Sequence, residues 1–591
     1  MKKYIVIIFL IIFLLLNSIN IIAEANLEEL NFDVIKAKKI DLDLNIVIPV
    51  SFENYNSNNN FIFKTPVFYD TSFQKIVSSE YYYFDSKGEK HFAEIEKDEF
   101  GNLIAVFEIS SIDKNYYEFI IFANIISENK FLLTNNIYSL ENDINEFIEY
   151  KEPSLNIQSD RGEIISLSKQ ISKSNNAFKE LVEYTNWVHQ NITYNIKYSE
   201  KTYESIKVLE EMEGVCDEFS VLAASLLRAR GFPVRYVSGY SNSTYEWQAH
   251  AWLEVYIPNQ GWIPVDPTYG EVGLVDASHI LLNVSKDSLD IKDKVTTANN
   301  VSVNFHERIF DFKINSQNNF QDLGFSNVLD LDIISEKTMK EKSAFEIKAF
   351  IKNTSINPLI TLIQINTHNQ FQLIYPKENN LIIYLDPFEE KELSFFYILP
   401  EVSFPMYYNF IVSTQLKDEN SFVEIYKDKG IFREAFFVYD PLFHFKDGFL
   451  QIDIDTFNYT DVNKNIDINF FYNNKENIEN ITIYSGESKK IIKTISEDIN
   501  SLFLEITRDY DYLNTIKIFK NEIILDNKLN IDVNNSLNNI IDTEEEYVDI
   551  WQEVVKDYSK DVSYFKIFMY VLSLIFICLL ILFITSYKNN S

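Results

Sequence analysis

The run Gly214-Val215-Cys216-Asp217-Glu218-Phe219-Ser220-Val221-Leu222-Ala223-Ala224-Ser225-Leu226-Leu227-Arg228-Ala229-Arg230-Gly231 decides the reading of the chain. Phe219, Leu222, Ala223, Leu226 and Leu227 recur at the spacing of one apolar helix face, with Arg228 and Arg230 in the last turn and Gly231 as a stop. Cys216 therefore falls in the first turn. Unpaired backbone N–H groups and the positive end of the helix dipole are expected there to lower the thiol pKa and to stabilise an oxyanion formed by attack on a carbonyl. Asp217 and Glu218 suit the same helix end, although their charge partly opposes a thiolate.

Downstream, Gln248-Ala249-His250-Ala251-Trp252-Leu253-Glu254-Val255-Tyr256-Ile257 alternates as a strand. Ala249, Ala251, Leu253, Val255 and Ile257 share one face, and His250, Trp252, Glu254 and Tyr256 the other. The turn Pro258-Asn259-Gln260-Gly261 leads into Trp262-Ile263-Pro264-Val265-Asp266-Pro267-Thr268, which predicts a neighbouring antiparallel strand. A plain hairpin about that turn sets Asp266 opposite Leu253, so a bulge or stagger is expected to bring Asp266 to His250. Taken singly, a free cysteine reads as a small buried hydrophobe and a strand histidine as a structural residue. The thiol, imidazole and carboxylate carry weight as a set.

Together with Leu226-Leu227-Arg228-Ala229-Arg230-Gly231-Phe232-Pro233-Val234-Arg235, these segments resemble the core of the transglutaminase-like superfamily, which is similar to papain-type proteases in its Cys, His, Asp chemistry. The resemblance covers roughly residues 160 to 285. It implies Cys216 as nucleophile, His250 as general base and acid, and Asp266 as the group that orients the imidazole. Leu181 to Tyr194 resembles the helix that precedes the nucleophile in such domains, and Gln248, Trp187 and Tyr194 are candidates for a second oxyanion donor. The implied chemistry is attack on a carboxamide or peptide carbonyl to give an acyl thioester. Water then gives a peptidase or amidase, and a primary amine gives transamidation. The triad does not choose between them, and hydrolysis is preferred by analogy with the wider superfamily. Asp217, Glu218, Glu246 and Glu254 near the expected cleft would as a group favour a cationic partner such as lysine, and singly read as solvated charge. The alternative from another class is a non-catalytic surface protein using a degenerate core as scaffold.

The rest of the chain sets the context. His91, His189, His250, His279, His306, His368 and His444 are scattered without zinc-ligand spacing, and no phosphate-cradling loop is present, so neither metal nor cofactor is expected. A net charge of −34 disfavours nucleic acid as a partner. Lys2 and Lys3 before the apolar run Tyr4 to Leu16, with Ala23-Glu24-Ala25 beyond it, read as a signal peptide over 1–25, an uncleaved anchor being the competing reading. Ile567 to Ile584, apolar apart from Ser573, reads as a transmembrane helix within 566–586 and hence as a type I topology with the body outside the cytoplasm. Asn-X-Ser/Thr sequons, among them Asn191, Asn353 and Asn458, are compatible with an exported glycoprotein. The chain holds 2 cysteines, the second being Cys578 in the C-terminal apolar run, so no disulfide framework supports the exterior domains.

The expected fold class is α+β: a transglutaminase-like, papain-like core over 155–290 flanked by β-sandwich domains. Strand patterns assign a β-rich domain to 26–150 and sandwiches to 325–435 and 440–535, read as spacers that hold the core off the membrane. Thr543-Glu544-Glu545-Glu546 opens an amphipathic stalk helix over 540–562, through which a homodimer could form. A protein or peptide substrate and the membrane complete the expected partners.

Overall fold

The computed structural model describes residues 37–526, apart from 57, 131–143, 173, 200–201, 243–246, 291–292, 298–300, 323, 439–440, 447–448, 473–474, 496–500, 509–510 and 520–521. The expected signal peptide, stalk helix and membrane helix lie outside the described residues. Among those described, no helix is long and apolar enough to cross a membrane.

The chain opens with seven strands, β1 Ala37–Glu53, β2 Phe61–Val67, β3 Gln74–Phe84, β4 Lys90–Phe92, β5 Glu94–Lys97, β6 Leu103–Ile109 and β7 Tyr116–Glu128. Alternate residues of β1 (Ile40, Leu42, Leu44, Ile46, Ile48, Val50) face a core in which Phe63, Phe107 and Phe119 interlock, with ring centroids 5.0–5.9 Å apart.

The helical segment follows: α1 Gly162–Ile171, α2 Ala177–Asn191, β8 Thr193–Tyr194, α3 Ser205–Glu211, β9 Glu213–Gly214 and α4 Cys216–Arg230. Then come β10 Val234–Ser241, β11 Gln248–Ile257, β12 Gly261–Asp266, β13 Glu271–Val272 and β14 Ile280–Ser285, in the sheet order β13-β12-β11-β10-β14. Both faces of β11 are buried. Ala251, Leu253, Val255 and Ile257 pack on the helices, while Trp252 packs with Val237, Leu281 and Val284 under Tyr69 and Phe100 of the first sandwich.

After the core the chain returns to the sandwich. β15 Lys294–Thr297 pairs with β2, and β16 Ser302–Phe305 and β17 Ile309–Asn319 pair with the edge of β1 not taken by β7. Residues 294–319, which sequence reading assigned to no domain, thus complete the first sandwich. The physical reason is that a 17-residue strand with a bare edge leaves a row of unpaired N–H and C=O groups. Two further sandwiches follow, with strands spanning Leu329–Tyr426 and Ala435–Asp526.

Side-chain amides tie these modules together by imitating a strand edge. On the outer edge of β14, Gln74 accepts from Leu281 N at 2.9 Å and donates to its carbonyl at 2.8 Å; Asn102 treats Val284 the same way at 2.8 and 2.8 Å. Asn186 on α2 does likewise with Ile382 of the second sandwich, at 2.6 and 2.9 Å. The segment between β13 and β14 is held from two modules: Asn129 donates to Gly273 O and Val275 O, Ala277 N donates to Ala37 O, and Gln415 donates to Leu274 O.

The second and third sandwiches share one device. Asn353 and Asn458, both fully buried, accept from Ser355 and Thr460 two residues on, and donate to the carbonyls of Asn357 and Val462 four residues on. These Asn-X-Ser/Thr triplets are internal turns of the fold, so their amides are not open to glycan attachment in the folded chain.

Candidate active site

Helix α4 begins at Cys216 because the preceding backbone is captured. The Glu218 carboxylate accepts Val215 N at 2.9 Å and Tyr203 N at 3.0 Å, occupying an N–H group that the helix leaves unpaired. Gly214 permits this approach, since a Cβ there would stand 2.3 Å from Glu218 Cβ. The short parallel pair β8–β9 sets Tyr194 beside Gly214 and so beside the thiol. Ser220 Oγ donates to Ala251 O at 3.1 Å, fixing the helix against β11 one residue from His250.

Cys216 is partly exposed at the helix terminus and its sulfur accepts from the Ala251 backbone N–H. The expected lowering of its pKa is overturned. Burial pushes the thiol well above its ordinary range, Asp217, Asp266 and Glu218 add to the effect, and the Ala251 N–H opposes it.

The hairpin delivers Asp266 without a bulge. The turn closes Ile257 on Gly261, with Asn259 at φ 66° and Gly261 at φ 82°, and pairs Leu253 with Val265. Asp266 therefore follows one position beyond that pair, diagonal to His250 on the same face, where neighbours on adjacent strands reach each other. The expected register was one residue out, because it took no account of the left-handed conformations in the turn. His250 Nε2 lies 2.7 Å from Asp266 Oδ2. Tyr269 stacks on the imidazole at 4.4 Å between centroids and 6° between planes, and its hydroxyl is 3.0 Å from Ser241 Oγ.

Asp266 is fully buried. Its Oδ1 accepts Thr268 N at 2.7 Å and Tyr269 N at 3.1 Å, and its Oδ2 receives a second imidazole, His279 Nε2, at 2.9 Å. Burial alone would raise its pKa; attraction and hydrogen bonds from His250 and His279 hold it far below the usual carboxylate range. An ionised carboxylate only accepts, so both histidine nitrogens present N–H groups to it.

Residues 165–267 match the profile of the transglutaminase-like superfamily. This segment belongs to that superfamily. Among curated relatives, uncharacterized protein YebA of Bacillus subtilis is 35% identical over 95 residues, covering 14% of this chain and 13% of that protein. A protein-glutamine gamma-glutamyltransferase of Pseudomonas aeruginosa is 31% identical over 93 residues, 14% of each chain. The chain thus spans only a small part of the length of either relative. Among solved structures, a Cytophaga hutchinsonii protein provisionally assigned as a cysteine protease overlaps 48% of this chain and 93% of its own, at 18% identity and a TM-score of 0.38.

The stretch matching the superfamily profile ends at residue 267, and His279 follows it, just before β14 of the same sheet. Sequence reasoning missed this residue, which stands between β13 and β14 without periodic context; the only local signal is Asp276 three positions before it. The three candidate oxyanion donors separate. Tyr194 lies within electrostatic reach of the thiol, with its ring 6.3 Å from Phe219; Trp187 packs into the helical core; Gln248 is exposed at the start of β11. The acidic side chains expected to greet a cation are engaged elsewhere. Glu254 is buried against Arg235 at 2.5 Å, Glu218 caps the helix, and Asp217 accepts from Thr202 and Tyr236, while Glu246 lies outside the described residues.

Proposed function

We propose that this chain is a cysteine enzyme acting on peptide or amide bonds, with Cys216 as nucleophile, His250 as base and acid and Asp266 as the orienting anion. The observation that carries the reading is the 2.7 Å bond from His250 Nε2 to Asp266, on a strand pinned to the helix whose first residue is Cys216. With Nε2 so occupied, Nδ1 is the nitrogen left to take the thiol proton. The sulfur then attacks the carbonyl carbon, the imidazolium protonates the departing amine, and a thioester remains. Water, deprotonated by the same imidazole, cleaves the thioester and restores the thiol. Hydrolysis is preferred to transamidation because Asp217, Glu218 and Glu254, which would attract an amine, are internally paired. The same reading puts the site outside the cytoplasm, tethered by the apolar run at 567–584.

A second reading, a non-catalytic scaffold, is favoured by one observation, the upward-pushed thiol. One experiment separates the two. The full-length protein is alkylated with iodoacetamide from about pH 4 to 10 and the Cys216 peptide is quantified by mass spectrometry, in wild type and His250→Ala. A profile that depends on His250 supports the enzyme and justifies screening peptides and a fluorescent primary amine. Modification that appears only on unfolding replaces it with the scaffold.

A further inference from the structure

His279 is buried, and each of its ring nitrogens meets an oxygen acceptor. Nε2 lies 2.9 Å from Asp266 Oδ2, and Nδ1 lies 3.2 Å from both the backbone carbonyl oxygen and the carboxylate Oδ2 of Asp276, none of which can donate to it. A carboxylate only accepts, and a neutral imidazole has one N–H; only the imidazolium supplies both. Asp276 is itself oriented, since its Oδ1 accepts Ser278 N at 2.7 Å. We propose that His279 is a permanently charged positioning residue of this site, bridging Asp276 to Asp266 so that Asp266 Oδ2 is held as a directed anion for His250. The proposal rests on the reading of Cys216, His250 and Asp266 as the reacting groups.

The surrounding charges fit this role. Glu271, opposite Asp266 across β12 and β13, is buried beside Asp276; burial and that neighbour push its pKa up. The His279 ring stands between the carboxyl groups of Asp276 and Asp266, so its charge offsets part of the negative field that Asp266 presents to His250. The side chains that the first sandwich presents to the small cavity beside His279, Thr71, Phe73, Gln74, Ser127 and Asn129, are uncharged, and Glu254 there is compensated by Arg235. Burial works against the His279 cation, and the attraction of Asp276 and Asp266 outweighs it. Gly239 lets β14, and with it His279, close on β10: a Cβ there would stand 2.0 Å from Ile280 O.

Without His279 the cluster would hold a proton on the reacting imidazole more tightly. The test uses the full-length protein in two measurements. First, 15N-histidine labelling resolves the 7 histidines, and His279, assigned by its loss in His279→Gln, is expected to keep both nitrogens protonated through about pH 9. A His279 that titrates between about pH 5 and 8, or that shows one bare nitrogen at neutral pH, overturns the proposal. Second, the pH midpoint of Cys216 alkylation is expected to rise by about one unit in His279→Gln, because the repulsion between two imidazolium ions sharing one carboxylate is gone. An unchanged midpoint, in a protein whose alkylation still depends on His250, overturns the positioning role alone. Loss of the His250 dependence in wild type sinks the underlying functional reading instead, which keeps the two failures distinct. If His279→Gln does not fold, Asp276→Asn, which removes the second anion, is read by whether His279 then titrates near neutral pH; a cation unmoved by that change overturns the bridge.

Discussion

His250 and His279 reach the same oxygen of the same carboxylate and are buried to nearly the same degree, with 6% and 8% of their surfaces exposed. They differ in what the other ring nitrogen meets. His279 is closed by Asp276 and carries a fixed charge, whereas His250 lies under Tyr269 on a strand pinned to the cysteine helix. Neither burial nor the bond to Asp266 distinguishes a base from a strut. The second partner does.

The comparison can be broken in graded ways. Cys216→Ala is expected to abolish turnover, by about 10⁴-fold or more, while leaving thermal stability and the His279 nitrogen signals unchanged. A shifted His279 signal would mean that the strut responds to the cysteine as well as to its two carboxylates. Asp266→Asn strikes both at once, lowering turnover by about 10³- to 10⁴-fold and stability by about 3–5 kcal/mol, read by urea unfolding. Its pH signature is set by sign: because the folded carboxyl is held low, the stabilisation is complete above the ordinary aspartate value of about 4 and is lost as pH falls below it, so the gap from wild type narrows in acid. Tyr269→Leu removes the ring stacked on His250, which also meets His279 edge-on at 5.7 Å, and is expected to slow turnover about tenfold, measured as kcat/KM. Glu271→Gln acts on the strut through Asp276 and His279, from the position across β12 and β13 from Asp266. The Glu271 carboxyl is raised by burial and by Asp276, so ionising it costs folding energy as pH climbs above about 4.3; the amide is expected to lift Tm at pH 8 by a few degrees more than at pH 5, with kcat unchanged.

Much of this was legible in the chain. The apolar stripe of residues 219–227 and the alternation of 248–257 gave the helix and the strand, and the strand-rich flanks gave the mostly β character. What escaped was non-local or electrostatic. The thiol's upward shift depends on burial and on Asp266, fifty residues away, and no helix-end argument contains either. Glu254 read as solvated charge, although Arg235 lies directly opposite it across β10 and β11. The edge pairing of β1 with 309–319 spans most of the first half of the chain, and no local pattern announces it. His279 had no stripe or alternation to mark it.

The peptide that carries Asp276 and His279 is shared property. Its backbone is tied to Ala37 and Asn129 in one sandwich and to Gln415 in another, so three regions of the chain must be in place before this corner of the site has its shape. The core is therefore not a cassette that could be cut out and spliced into a new host. A transplanted stretch limited to residues 165–267 would take Cys216, His250 and Asp266 and leave His279 and its anchors behind.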